Sequence, residues 1–245
     1  MQMSDKDFIS ELTKIFKENS FGALLNSQKS EKLLLLTKRM LEENERYNLT
    51  AITEPSKIIL NHYADCATLS KQIAKGASII DVGCGAGFPS LPLAILREDL
   101  NIFSIDSTSK RINYVKETAK MLGINNIRAE SMRAEDGAKN EIYREKFDYA
   151  TARAVAEMRV LCELCLPYVK VGGKMIAMKG KNAEFELSSS KKALAILGNA
   201  QAKIEKTFVK SGEDCLEHAL IVVSKKAKTP QAYPRPYAQI SKKPL

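Results

Sequence analysis

Phe8, Ile9, Leu12, Ile15 and Phe16 recur at intervals of three and four, which predicts a helix over residues 5–18 with one apolar side. The stretch "QKSEKLLLLTKRMLEENER" (28–46) predicts a second helix, with Ser30 as its cap. "YNLTAITEPS" interrupts with turn residues and Pro55, and a third helix follows over roughly 56–74. The pattern then switches. "ASIIDVG" (77–83) is a short apolar run ending at glycine, which marks a buried strand. Strand and helix alternate from there: helix 90–98, strand 100–106, helix 109–123 closed by Gly123, strands 126–131 and 147–153, helix 155–166, strand 172–180 and helix 184–197. "AKIEKTFVKS" and "EHALIVVSKK" form a closing pair of strands. The expected fold is α/β: a mostly parallel seven-stranded sheet, covered on both faces, with an antiparallel edge. Residues 1–75 are expected as a helical extension, 76–226 as the α/β domain and 227–245 as a basic tail.

The first strand runs into "DVGCGAGFPS" (81–90), three glycines in five positions behind an acid. Glycine loses the most backbone freedom on folding, so such a cluster marks a tight turn or a close approach of backbone to a ligand. In open α/β sheets ligands bind beyond the carboxyl ends of the strands, which is where this loop falls. A phosphate loop would need G-K-[ST], absent here, and a dinucleotide fingerprint would need a glycine where Phe88 stands. What remains is D-x-G-x-G-x-G, carried by Asp81, Gly83, Gly85 and Gly87, followed by Asp106 at the end of the second strand. A carboxylate there can accept both ribose hydroxyls of an adenosine. The competing reading is a structural turn with a surface Asp106.

Composition narrows the setting. No run of 18 apolar residues is present, and "MQMSDKDFISELTKIF" lacks a signal-peptide apolar stretch, so a cytoplasmic protein with no membrane partner is expected. The net charge is +9, and Lys225 onward holds six Lys or Arg and no acid. That balance points to a polyanion such as RNA, unless it serves solubility alone. Cys162 and Cys165 form a C-x-x-C without further ligands at similar spacing, and they read as packing thiols on a helix. His62 and His218 sit in no metal-ligand pattern.

Six separated stretches carry a resemblance: "ERYNLTAI" (45–52), "GAGFPSLPLAI" (85–95), "SMRAED" (131–136), "TARAVAEM" (151–158), "MKGKNAEFE" (178–186) and "KKPL" (242–245). The glycine loop with Asp106 resembles motif I of class I S-adenosylmethionine-dependent methyltransferases, which have a Rossmann-like sheet. Together the six resemble the ribosomal RNA small subunit methyltransferase G family, from about residue 45 to 245. The resemblance implies transfer of a methyl group from S-adenosylmethionine to N7 of one decoding-region guanine of 16S rRNA. The expected partner is 16S rRNA within the small ribosomal subunit or an assembly intermediate, and the expected state is a monomer. Gly83 and Phe88 match cofactor-contacting positions, Ala134 and Glu135 match the pair that lines the adenine, and Arg153 matches an arginine at the mouth of the site. Ser90 departs from the family's usual glycine, and the tail is looser than the usual Pro-, Arg- and Gly-rich ending.

Guanine N7 carries a lone pair and no proton, so its methylation needs no general base. Holding the reactants in line can itself be worth roughly 7–11 kcal/mol. The expected substrate-positioning residues are Arg153, gripping phosphate or the guanine O6 edge, and Lys179 at the end of the fifth strand, holding phosphate. Their plainer readings are a salt bridge to a helix acid and a strand-end cap. The rivals are a nicotinamide-dependent dehydrogenase, a non-catalytic RNA-binding module and a methyltransferase of small molecules or proteins.

Overall fold

The computed structural model describes residues 3–245, apart from the Tyr47 side chain. Ser4 starts the first helix, α1 (Asp5–Glu18): its hydroxyl accepts the Asp7 N–H at 3.2 Å. Phe8, Leu12, Ile15 and Phe16 are buried, as their spacing requires. A 3₁₀ turn (Gly22–Leu24) leads to α2 (Ser27–Tyr47). The cap of α2 is not Ser30 but Asn26, whose side chain accepts the Lys29 N–H at 2.8 Å; Ser30 lies a turn inside and is buried. The expected third helix is a composite: α3 (Pro55–Ile58), a π-helical segment (Ile59–Ala64), α4 (Asp65–Ala67) and a 3₁₀ turn (Thr68–Lys71). A π segment shifts the helical repeat and re-aims the side chains along it, here His62 and the following Asp65.

The α/β part runs β1 (Ser78–Val82), α5 (Ser90–Leu96), β2 (Asn101–Asp106), α6 (Ser109–Met121), β3 (Ile127–Ser131), α7 (Ala134–Gly137), β4 (Phe147–Arg153), α8 (Met158–Cys165), β5 (Val169–Lys179), α9 (Ala183–Ser189), α10 (Lys191–Gly198), β6 (Gln201–Ser211) and β7 (Asp214–Ser224). A last helix, α11 (Tyr237–Lys242), lies in the tail. The expected helix over 184–197 is divided at Ser190, and the short α7 and α11 carry no periodic apolar signal that would have marked them.

The seven strands form one sheet in the order β3-β2-β1-β4-β5-β7-β6. β1 to β5 are parallel, and β7 is antiparallel to both of its neighbours. The order reverses between β1 and β4, so the crevice of a doubly wound sheet opens beyond the ends of these two strands. Because successive side chains point to opposite faces, each strand feeds two cores. Ile79, Ile102, Ile176 and Val222 pack on one face with α1 to α6, so the helices before β1 share a core with α5 and α6. Ile80, Phe103, Ala177 and Val223 pack on the other face with α8, α10 and Ile240 of α11.

The tail lies against that second face. Arg144 donates to the carbonyls of Thr229, at 2.8 Å, and Tyr233, at 2.9 Å. Lys225 is fully buried and donates to Glu145 and to the carbonyls of Leu166 and Val169 at 2.8–2.9 Å. Arg235 forms a forked pair with the buried Glu163. Two of the six tail cations therefore hold the fold together, while Lys226, Lys228, Lys242 and Lys243 face solvent.

Candidate active site

A cavity of about 250 Å³ opens beyond the ends of β1 to β4. Of the residues expected to contact cofactor, Gly83, Asp106, Ala134 and Glu135 line it, together with Arg111, Met132, Arg133, Val155, Leu164 and Tyr237. The loop after β1 is tied to β2, because the N–H groups of Gly83 and Cys84 both donate to the Ile105 carbonyl. Gly83 has φ +74°, and a Cβ there would stand 2.8 Å from Val155 Cγ2. Gly87 serves packing instead: at φ +83°, a Cβ would stand 2.5 Å from Leu91 Cδ1. Gly85 contributes its N–H, which donates to Asp106 Oδ2 at 3.0 Å, while Thr108 N–H donates to Oδ1 at 2.8 Å. Each carboxylate oxygen thus has one backbone partner and capacity for another. A carboxylate held this way at the cavity wall suits a vicinal diol, and the glycine cradle leaves room for a ligand beside it. These residues fit S-adenosylmethionine.

Five expected cofactor contacts do not line the cavity: Gly85 and Gly87 of the loop, and Asp81, Phe88 and Arg153. Asp81 is only 1% exposed, and Thr151 of β4 donates to its Oδ1 at 3.2 Å. Burial pushes its carboxyl up to about 6, against the opposing pull of the facing Ser90, Thr151 and the Arg153 charge. Phe88 turns away from the cavity and stacks on His62, with centroids 4.6 Å apart. Arg153 sits 5.3 Å from the Phe88 ring and faces a different space.

That space is a second cleft of about 540 Å³, lined by Asn61, His62, Asp65, Arg153, Lys179, Glu186 and His218 among others. Arg153 and Ala154 face it, and Val155, next in the chain, lines the first cavity, so the turn after β4 is a wall shared by both. Arg153 donates to the Asn61 carbonyl at 3.2 Å, pairs with Asp65 at 3.3 Å and meets His62 Nδ1 at 3.0 Å. Asp65, almost wholly buried, also meets His218 Nδ1 at 2.9 Å. Lys179 pairs with Glu186 at 2.7 Å and donates to the Ala156 carbonyl at 2.6 Å. For Arg153 the salt bridge to a helix acid is formed; Lys179 forms an ion pair with Glu186 that neither of its two readings named.

Burial, aided by the Arg153 charge, lowers His62 to about 4, so it is a neutral imidazole near pH 7. The hydrogen bond with Asp65 raises His218. His62, Asp65, Glu186 and His218 were not singled out as site residues from the sequence. Two of them are separated by 156 positions, and the β5–β7 pairing, Lys179 opposite Ala219, is what brings His218 to the cleft.

Comparison with known proteins bears on the fold and the family of the chain. Solved structures of like fold include the YcgJ protein of Bacillus subtilis, with TM-score 0.52, 14% identity, 67% of this chain and 99% of that one. Another is TYW2 of M. jannaschii in complex with AdoMet, with TM-score 0.53, 14% identity, 67% of this chain and 75% of that one. At that identity the likeness concerns the fold. Curated relatives named ribosomal RNA small subunit methyltransferase G are much nearer. That of Clostridium perfringens strain 13 is 45% identical over 229 residues, 93% of this chain and 95% of its own length. That of Lactobacillus acidophilus is 41% identical over 247 residues, 99% of this chain and all of its own. The GidB family model, described as rRNA small subunit methyltransferase G, matches residues 29–214. With that match and relatives spanning the whole fold, the chain belongs to the rRNA small subunit methyltransferase G family.

Proposed function

We infer that this chain is an S-adenosylmethionine-dependent rRNA methyltransferase that modifies N7 of one guanine in the 16S rRNA of the small ribosomal subunit. The observation that carries the reading is the pair of spaces on either side of the turn after β4. One is bordered by Asp106 and the glycine turn, which suits an adenosine-bearing cofactor, and the other, of about 540 Å³, is open to receive a base. Bound S-adenosylmethionine supplies an electrophilic methyl group on sulfur. Asp106 and the Gly83 turn would hold it, and the turn after β4 borders both spaces, with Val155 toward the cofactor and Arg153 toward the base.

The acceptor gains a positive charge as N7 is methylated, so unpaired cations beside it would oppose the reaction. In the second cleft Arg153 and His218 share Asp65, Lys179 is paired with Glu186, and His62 is neutral. No group is needed to remove a proton, and none of these residues is arranged as a general base toward the first cavity. Target selection falls to the surrounding surface, since RNA sequence is read mostly in unpaired loops. The net charge of +9 supports an RNA partner.

The enzyme is further proposed to act as a cytoplasmic monomer on the small subunit or an assembly intermediate. The test is incubation with labelled S-adenosylmethionine and 16S rRNA, free and in small subunits, followed by mapping of the label. Label at guanine N7 in one loop is expected, and the preferred substrate form fixes the assembly stage. Label on a base other than guanine, or on protein alone, refutes the reading.

A further inference from the structure

The tail crosses the rim of the first cavity. Two residues before Tyr237, Arg235 is locked to Glu163 by Nε–Oε1 at 2.9 Å and Nη2–Oε2 at 2.7 Å, with its own N–H on Oε1 at 2.8 Å. Three residues after it, Ile240 is fully buried in the core on that face. Between these two anchors the chain has little freedom, yet Tyr237 is left 40% exposed at the cavity wall. An aromatic side chain pinned at both flanks and still open to a cavity is a surface waiting for a flat partner. On one side it already has a partner: the Arg133 guanidinium lies 5.8 Å from the ring centroid. Arg133 is the residue before α7, whose Ala134 and Glu135 line the same cavity. Tyr237 therefore stands at the α7 end of the cavity rather than at the glycine-loop end.

We propose that Tyr237 is a cofactor-contacting residue, its ring closing the adenine end of the cavity and making the C-terminal segment a clasp on bound cofactor. This rests on the reading that Ala134 and Glu135 mark the adenine end. A heteroaromatic base offers a face to stack on, and the clasp holds the ring in place before the ligand arrives, so little side-chain entropy is lost on binding. The tail, whose charge suggested a role in RNA binding alone, is then part of the cofactor site.

The test uses the full chain and variants Tyr237→Phe and Tyr237→Ala, titrated calorimetrically with S-adenosylhomocysteine and with adenosine. Stacking of a base on an aromatic ring predicts that Tyr237→Ala raises Kd roughly five- to a hundredfold for both ligands. Tyr237→Phe keeps the ring and should bind within about twofold of the parent. Melting temperatures without ligand should agree among the three, because the ring is not in the core. The chain has no tryptophan, so Tyr237→Trp adds a single reporter whose emission should change with saturable S-adenosylhomocysteine. Unchanged Kd in Tyr237→Ala overturns the proposal, as does unchanged emission in Tyr237→Trp. Weakened S-adenosylhomocysteine with unaltered adenosine overturns the adenine assignment. A parent chain that binds no S-adenosylhomocysteine overturns the cofactor reading itself, and this proposal with it.

Discussion

Replacing Arg235 with alanine tests whether the tail is a structural element. The guanidinium makes contacts of 2.7, 2.9 and 3.3 Å to the Glu163 carboxylate, which is fully buried. After the substitution that carboxylate keeps one partner, the N–H of residue 235 at 2.8 Å. Breaking a buried pair from one side costs about 3–5 kcal/mol, because a charge is left without its partner. The Arg235 side chain is 22% exposed, so water can follow into the space, which places the expected loss near the lower end. For a chain of this length about 3 kcal/mol corresponds to a fall in melting temperature of roughly 6–12 °C. Calorimetric melting and urea titration of Arg235→Ala measure it. The double variant Arg235→Met with Glu163→Leu should recover most of the loss, since it buries no orphan charge. A single variant within about 1 kcal/mol of the parent would refute the reasoning, as would a double variant no more stable than the single.

Two further substitutions probe the loop. Asp106→Asn keeps one carbonyl acceptor of the two that now receive Gly85 and Thr108 N–H. S-adenosylhomocysteine should bind roughly tenfold to a hundredfold more weakly by calorimetry, because a charge-assisted hydrogen bond is worth about 1.5–3 kcal/mol; normal affinity would remove Asp106 from the site. Asp81 is an acid whose folded pKa is raised from 3.8 to about 6, so its ionisation costs stability as pH rises from about 4 through 6, and the cost persists above. Asp81→Asn should therefore be more stable than the parent above pH 6, by ~3 kcal/mol at 1.36 kcal/mol per unit, with the gap narrowing toward pH 4; a gap independent of pH would contradict it.

The elements that alternation and periodicity define, β1 to β7 and the helices α1, α2, α5, α6 and α8, were legible in the sequence, because each strand and helix must present one apolar pattern to a core. The glycine loop and Asp106 were legible for a related reason: close backbone approach and a carboxylate at a strand end leave marks on residue type. Within that pattern, local competition settled details that spacing cannot. Asn26 rather than Ser30 caps α2, and a π segment interrupts the third helix at His62. Both outcomes turn on backbone conformation at one or two residues.

What only the tertiary structure decided is the division of the site residues. The sequence placed Asp81, Phe88 and Arg153 with the cofactor, because they lie within or just beyond its motifs. The fold buries Asp81 against Thr151 of β4, and puts Phe88 and Arg153 on the far side of the β4 turn, in company with His62, Asp65 and His218. The tail shows the same limit. Its charge is a sum over residues and is visible in the sequence. Lys225 and Arg235 are consumed by Glu145 and Glu163, partners 80 and 72 positions away, and Tyr237 reaches a cavity built from β1 to β4. Residue type and spacing are properties of neighbours along the chain. Which charges neutralise one another, and which ring lines which cavity, depend on pairings that only the closed sheet and its packed helices bring about.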